Sequence, residues 1–101
     1  MTRGRIRVSP AAVLQIEHAS AWWLEHREKA PEALAEEMER GFDLIRSFPG
    51  AGQRVSHPQH DGLRRLLLGR VRYYLYYVEA DDETVDVLAL WHFSRGSQPD
   101  L

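Results

Sequence analysis

Residues 63–78 read Leu63-Arg64-Arg65-Leu66-Leu67-Leu68-Gly69-Arg70-Val71-Arg72-Tyr73-Tyr74-Leu75-Tyr76-Tyr77-Val78. Two apolar runs flank Gly69-Arg70, and the second is rich in tyrosine and valine, side chains that suit a pleated, half-buried surface. The stretch predicts two strands, Leu63 to Leu68 and Val71 to Glu79, joined by a turn at Gly69-Arg70. Ala80-Asp81-Asp82-Glu83 turns the chain again. Thr84 to Phe93 then reads as a central strand, with Val85, Val87, Ala89, Trp91 and Phe93 on one face and Leu88 and Leu90 on the other. The three strands form an antiparallel meander.

Upstream the period changes. Ile6 and Val8 alternate with Arg5 and Arg7, the pattern of a short half-buried strand. Ser9-Pro10 supplies an N-cap and a first-turn proline. It opens a helix over about residues 10 to 28, with Val13, Ile16, Ala19, Trp23 and Leu24 at helical spacing. Lys29-Ala30-Pro31 interrupts it, because Pro31 disfavours helical backbone at Ala30 and suits the start of a second helix. Glu32, Glu36 and Glu37 lie in the early turns, where carboxylates complement the helix dipole. Leu34, Met38, Phe42, Ile45 and Phe48 form the apolar stripe, and Pro49-Gly50-Ala51-Gly52 ends the helix. So short a break predicts an antiparallel helical hairpin. The order β-α-α-β-β-β defines an α+β fold, with helices on one face of a small, mostly antiparallel sheet.

The chain has 101 residues, 44% of them apolar and 28% charged, a formal net charge of −2 and no cysteine. That length suits one domain over residues 1–101 with one core. The lack of cysteine excludes disulfides, thiolate metal sites and cysteine nucleophiles, and suits a reducing, cytoplasmic setting. No apolar run approaches a signal sequence or a membrane span, so a soluble protein with no membrane partner is expected. The net charge argues against a protein that coats nucleic acid over its whole surface. The charges are nonetheless segregated. Arg3, Arg5 and Arg7 open the chain without an adjacent acid, acids dominate from Glu17 to Asp43, and Arg54, Arg64, Arg65, Arg70 and Arg72 face only Asp61. This predicts an acidic face opposite a basic one, which the first three arginines join if the first strand pairs near the later ones.

Few motifs carry chemistry. His57-Pro58-Gln59-His60-Asp61 lacks a metal-binding spacing, and His18 and His26 lie about two helical turns apart, too far to share an ion. Gly50-Ala51-Gly52 runs into Gln53-Arg54-Val55 rather than a phosphate-loop ending. No metal or cofactor is expected. What remains is arginine among aromatics: Arg64, Arg65 and Arg72, with His92 and Arg95 around the end of the last strand. Guanidinium groups there offer fixed donors for phosphate or carboxylate. Trp22 and Trp23 point about 100° apart on a helix, so both are buried only if the helix is covered on two sides. Trp22 and Leu44, off the main core stripes, are therefore expected to meet a partner.

Val8-Ser9-Pro10-Ala11-Ala12 entering a helical hairpin, Leu63-Arg64-Arg65, Arg72-Tyr73-Tyr74-Leu75-Tyr76-Tyr77-Val78 and Val85-Asp86-Val87-Leu88-Ala89-Leu90-Trp91-His92-Phe93-Ser94-Arg95-Gly96 together resemble the ParE branch of the RelE/ParE toxin superfamily. They occur in order and span most of the chain. The resemblance implies the β-α-α-β-β-β fold reached above and a type II toxin–antitoxin toxin that inhibits growth, with a role in stress response. It also implies a ParD-like antitoxin partner, and either DNA gyrase (with DNA reached through the gyrase complex) or the ribosome as target. RelE-type cleavage of messenger RNA relies on sheet lysines and arginines and a tyrosine after the last strand. Here Lys29 is the only lysine and lies in the helical region, and no tyrosine follows Arg95. Arginine is a poor base. The expectation is therefore a binding protein that traps gyrase on cleaved DNA through Arg64, Arg65, Arg72, His92 and Arg95, with Trp22 and Leu44 meeting the antitoxin. The alternatives are a ribosome-dependent endoribonuclease using Arg72, His92 and Arg95, and an inactive member retained for antitoxin binding.

Overall fold

A computed structural model describes residues 4–81 and 83–101. Arg3 and Asp82, which the sequence assigns to the basic N-terminus and the last turn, lie outside the described residues. Strand β1 (Arg5–Val8) leads into helix α1 (Pro10–His26) and helix α2 (Ala33–Ser47). A 3-10 turn over Pro49–Ala51 precedes β2 (Gln53–Arg54), β3 (Arg64–Leu68), β4 (Tyr73–Asp81) and β5 (Thr84–His92). The sheet order is β1-β5-β4-β3-β2.

The α+β class and the β3-β4-β5 meander match the sequence reading, but the sheet has five strands and is mixed. β1 pairs parallel with β5, placing Ile6 opposite Val85 and Val8 opposite Val87. β2 is new: two residues pair antiparallel with Arg64 and Arg65, too short to leave a periodic pattern. Pairing of β1 with β5 does not leave Arg7 a free cation. Arg7 instead makes a bidentate pair with Asp86, at 2.6 and 3.0 Å.

A second correction concerns β5. Tyr76 pairs with Ala89 but Tyr77 pairs with Val87, so Leu88 is an extra residue, a β-bulge. The bulge reverses the alternation. Val85 and Val87 face the helices, whereas Ala89 and Trp91 join the opposite face, and Leu90 returns to the helix side. The single-face assignment of Val85 through Phe93 fails because strict period 2 cannot anticipate an inserted residue. Beyond Val87, β1 no longer covers the edge of β5, and α1 takes over. Ser9 Oγ donates to Leu88 O at 3.2 Å, and Leu90 N–H donates to Gln15 Oε1 at 2.9 Å.

Both helices pack on one face of the sheet. Ser9 caps α1 as expected, its Oγ accepting from Ala12 N–H at 3.1 Å. The buried stripe of α1 is Ala12, Ala19 and Trp23 with Ile16 packed against it, whereas Val13 and Leu24 are exposed. The expected stripe is thus rotated by about one position. Trp23 Nε1 donates to Ala30 O at 2.7 Å and fixes the turn between the helices. On α2, Leu34, Met38 and Ile45 are buried as expected, but Phe48 is exposed. Gly41 lets α2 approach the sheet, since a Cβ there would lie 2.8 Å from Leu68 Cδ2 and 3.0 Å from Leu75 Cδ1. On the far face, Leu63, Tyr76 and Ala89 form a second small core with Val55, Tyr74, Trp91 and Leu101.

Candidate target-binding site

The β3-β4 hairpin turns through Gly69, Arg70, Val71 and Arg72, closed by Val71 and Arg72 N–H bonds to Leu68 O at 3.2 and 2.7 Å. Arg72 takes φ 63°, the left-handed conformation that favours glycine. Helix α2 holds this turn. Glu37, buried at 6% exposure, accepts from Arg70 N–H at 3.1 Å and pairs with Arg40 at 3.3 Å. Glu36 pairs with the Arg70 guanidinium at 3.0 Å. The pinned turn leaves Arg72 exposed, its guanidinium carbon 5.3 Å from the Phe93 ring centroid. Its carbonyl accepts from Phe93 N–H at 2.9 Å.

His92 lies opposite Tyr73, their rings edge-on at 4.9 Å. Ser94 N–H donates to His92 Nδ1 at 3.2 Å, and Ser94 Oγ lies 2.6 Å from the same nitrogen. Nδ1 therefore keeps its lone pair, and the neutral ring carries its proton on Nε2. Burial raises the Tyr73 pKa, against the opposing charge of Arg95. Its phenol remains a donor at neutral pH. Trp91 Nε1 donates to Ser97 O at 2.8 Å and holds the tail, while Arg95 lies 4.0 Å over the indole. On the far face Arg65 lies 4.3 Å over Tyr74, the cross-strand neighbour of Trp91. Arg65, Tyr74, Trp91 and Arg95 thus form one row across β3, β4 and β5.

A cleft of about 690 Å³ opens between α1 and this end of the sheet. Tyr73, His92 and Arg95 line one side, and His18, Trp22 and Arg27 the other. Trp22 is 42% exposed, stacked on His26 at 4.5 Å and flanked by Arg27 at 5.1 Å. No carboxylate lines the cleft among the described residues.

The structure therefore joins His92, Arg95 and Trp22 in one cleft and sets Arg72 beside it on Phe93. Arg65 reaches the same region along the aromatic row, although it also donates to Tyr76 Oη at 3.3 Å. Arg64 is elsewhere. It donates to Gly52 O at 2.7 Å and Gly50 O at 3.3 Å, binding the 3-10 turn to the sheet. Leu44, 39% exposed, lies on α2 over a groove against Leu66 to Leu68. Sequence reasoning missed the contribution of α1. Gln15, His18 and Trp22 share one helix face by their i, i+3, i+7 spacing, a signal present in the sequence once a partner strand end is known. His57 and His60 approach to 5.1 Å between ring centroids, but no metal-binding cluster occurs among the described residues. No helix there is long and apolar enough to cross a membrane.

A helical hairpin on one face of a small mixed sheet, with a cleft at one strand end that no carboxylate lines among the described residues, defines a small α+β module. The chain belongs to the ParE toxin family of the type II toxin–antitoxin system parDE, whose model matches residues 6–96. Its fold is similar to that of a chain in the chromosomal ParDE TA system from P. aeruginosa. That likeness has a TM-score of 0.71 and 16% identity, covering 89% of this chain and 96% of that one. No curated protein matches the sequence.

Proposed function

We propose that this ParE-family chain acts by binding, trapping DNA gyrase in its cleaved-DNA complex in the cytoplasm, and that a ParD-like antitoxin neutralises it. The observation that carries this reading is the chemistry of the open strand end. Arg72 and Arg95 are stacked on aromatics and have no carboxylate partner among the described residues. Guanidinium groups of this kind bind and orient, but they do not shuttle protons at neutral pH. Neither lysine nor carboxylate lines the cleft. Arg65, Arg72, His92 and Arg95 form the working surface, whereas Arg64 ties the 3-10 turn to the other end of the sheet.

Trp22 gives neutralisation a physical form. An antitoxin segment seated on this exposed indole also covers the mouth of the cleft that holds His92 and Arg95. Leu44 offers a second apolar contact on α2. Incubation with gyrase, ATP and supercoiled plasmid, followed by detergent and protease, tests the proposal. Linear DNA that disappears on adding antitoxin is the expected result; no linear DNA from folded toxin, alongside a working drug control, overturns it.

The endoribonuclease reading rests on one observation, an imidazole, His92, in the same cleft as Arg95 and edge-on to Tyr73. His92→Gln separates the two: a nuclease loses orders of magnitude in rate, whereas a binder weakens about tenfold or less.

A further inference from the structure

The cleft between α1 and the end of β5 also holds Arg27 and His18, which the proposed gyrase surface does not use. Arg27 stands at the C-cap of α1 against Trp22, the only hydrogen bond of its side chain among the described residues a 3.5 Å contact from Nη1 to His26 O. The Arg95 guanidinium lies against Trp91 with no hydrogen bond or ion pair among the described residues. A guanidinium held over an indole keeps N–H donors available to a partner while the ring covers one side of it. His18 and His92 add two ring nitrogens, and Tyr73 a protonated phenol. In a chain of net charge −2, a cleft with two unpaired guanidinium groups and no acid is not a by-product of overall composition.

We propose that this cleft binds a phosphate ester, held between Arg27 and Arg95 with Tyr73 and the histidines as further donors. Two arginines from opposite walls, with a phenol and two imidazoles, present more donors than the two oxygens of one carboxylate can accept. A phosphate offers more oxygens and a larger charge. The volume of about 690 Å³ leaves room for a nucleoside beside the phosphate. The shared chemistry is the phosphate ester, whether of a free nucleotide or of a nucleic-acid strand. It does not depend on gyrase being the target.

Calorimetric titration of the intact chain tests this with three probes: thymidine 5′-monophosphate, hexathymidylate with a 5′-phosphate, and hexathymidylate with a 5′-hydroxyl. Comparable binding of the first two, with weaker binding of the third, supports the site and identifies a nucleotide or strand end. Equal binding of both oligomers and weak binding of the monophosphate supports it with an internal strand phosphate as the source. Arg27→Gln and Arg95→Gln each weaken the bound probe by about tenfold or more, because each removes a charge-assisted hydrogen bond. Arg5→Gln, on the outer strand at the far end of the sheet, leaves binding unchanged, and circular dichroism verifies that each variant is folded. No saturable binding by any probe overturns the proposal. So does an equal loss in Arg5→Gln, which means diffuse charge attraction, or tighter binding of a hexaglutamate peptide than of all three probes, which means an acidic polypeptide site. Failure here leaves the plasmid-linearisation result standing, and the reverse also holds.

Discussion

Arg64 and Arg95 look equivalent as residues, yet the two ends of the sheet use them in opposite ways. At the Arg64 end, the donors of Tyr77 and Arg64 are consumed. Tyr77 Oη donates to Pro49 O and accepts from Gly52 N–H, at 2.7 and 2.8 Å, and the Arg64 guanidinium takes the Gly52 and Gly50 carbonyls. About 13 Å away along β4, judged from strand rise between Tyr77 and Tyr73, the guanidinium groups of Arg72 and Arg95 lean on rings and spend none of their N–H donors on the described protein. Availability rather than abundance distinguishes an arginine that works on a partner from one that holds the fold.

This contrast can be broken experimentally, beginning at the consumed end. Gly52→Ala should cost the most, about 3 kcal/mol, because a Cβ there would lie 2.6 Å from Tyr77 Oη and 2.9 Å from Arg65 O. Urea denaturation measures it. Tyr77→Phe comes next, at about 2 kcal/mol, since it strands the buried Gly52 amide without an acceptor. It also carries a pH signature. Burial raises the Tyr77 pKa, against the Gly52 hydrogen bond and the Arg64 charge. The folded state therefore holds this proton more tightly than the unfolded chain, which loses it near pH 10. The stabilisation is full below that pH and is lost as pH rises through the folded value. An alkaline melting series should fall more steeply for the parent than for Tyr77→Phe. Any residual slope belongs to Tyr73, whose pKa burial also raises.

Smaller effects sharpen the comparison. Arg64→Ala should lower stability by about 1 kcal/mol, while Arg95→Ala changes it by less than about 0.5 kcal/mol and abolishes plasmid linearisation. Arg72→Gly is the most discriminating. Relief of left-handed strain offsets the added freedom of the unfolded chain, so stability moves by under about 1 kcal/mol, yet the toxic activity should disappear. Equal destabilisation by Arg64→Ala and Arg95→Ala would erase the distinction between the two ends.

The parts legible in the sequence are those governed by local rules. Ser9-Pro10 announces α1, Pro49-Gly50-Ala51-Gly52 ends α2, and the tyrosine-rich run marks β4. Long-range arrangement was less legible. The partnership of β1 with β5 crosses most of the chain, β2 is too short for periodicity, and the Leu88 bulge inverts a face without any glycine or proline to signal it. For the site, Arg72, His92 and Arg95 were recognisable by type, whereas Arg27 and His18 become relevant only when α1 is known to pack over the end of β5. Arg64 was indistinguishable from Arg65 because its role depends on two carbonyls in a turn some 12 residues earlier.

The parallel pairing of β1 with β5 bears on the order in which the protein is made. Ile6 waits for Val85, so the strand translated first remains unpaired until the last one emerges. At roughly 5–20 residues per second that interval is several seconds, and such distant pairing is intrinsically slow to form. His92 ends β5 and Arg95 follows it out of the ribosome, so the cleft is assembled only after synthesis of almost the whole family-matched segment. Any ligand of the cleft therefore meets a finished binding surface only once nearly the whole chain has left the ribosome.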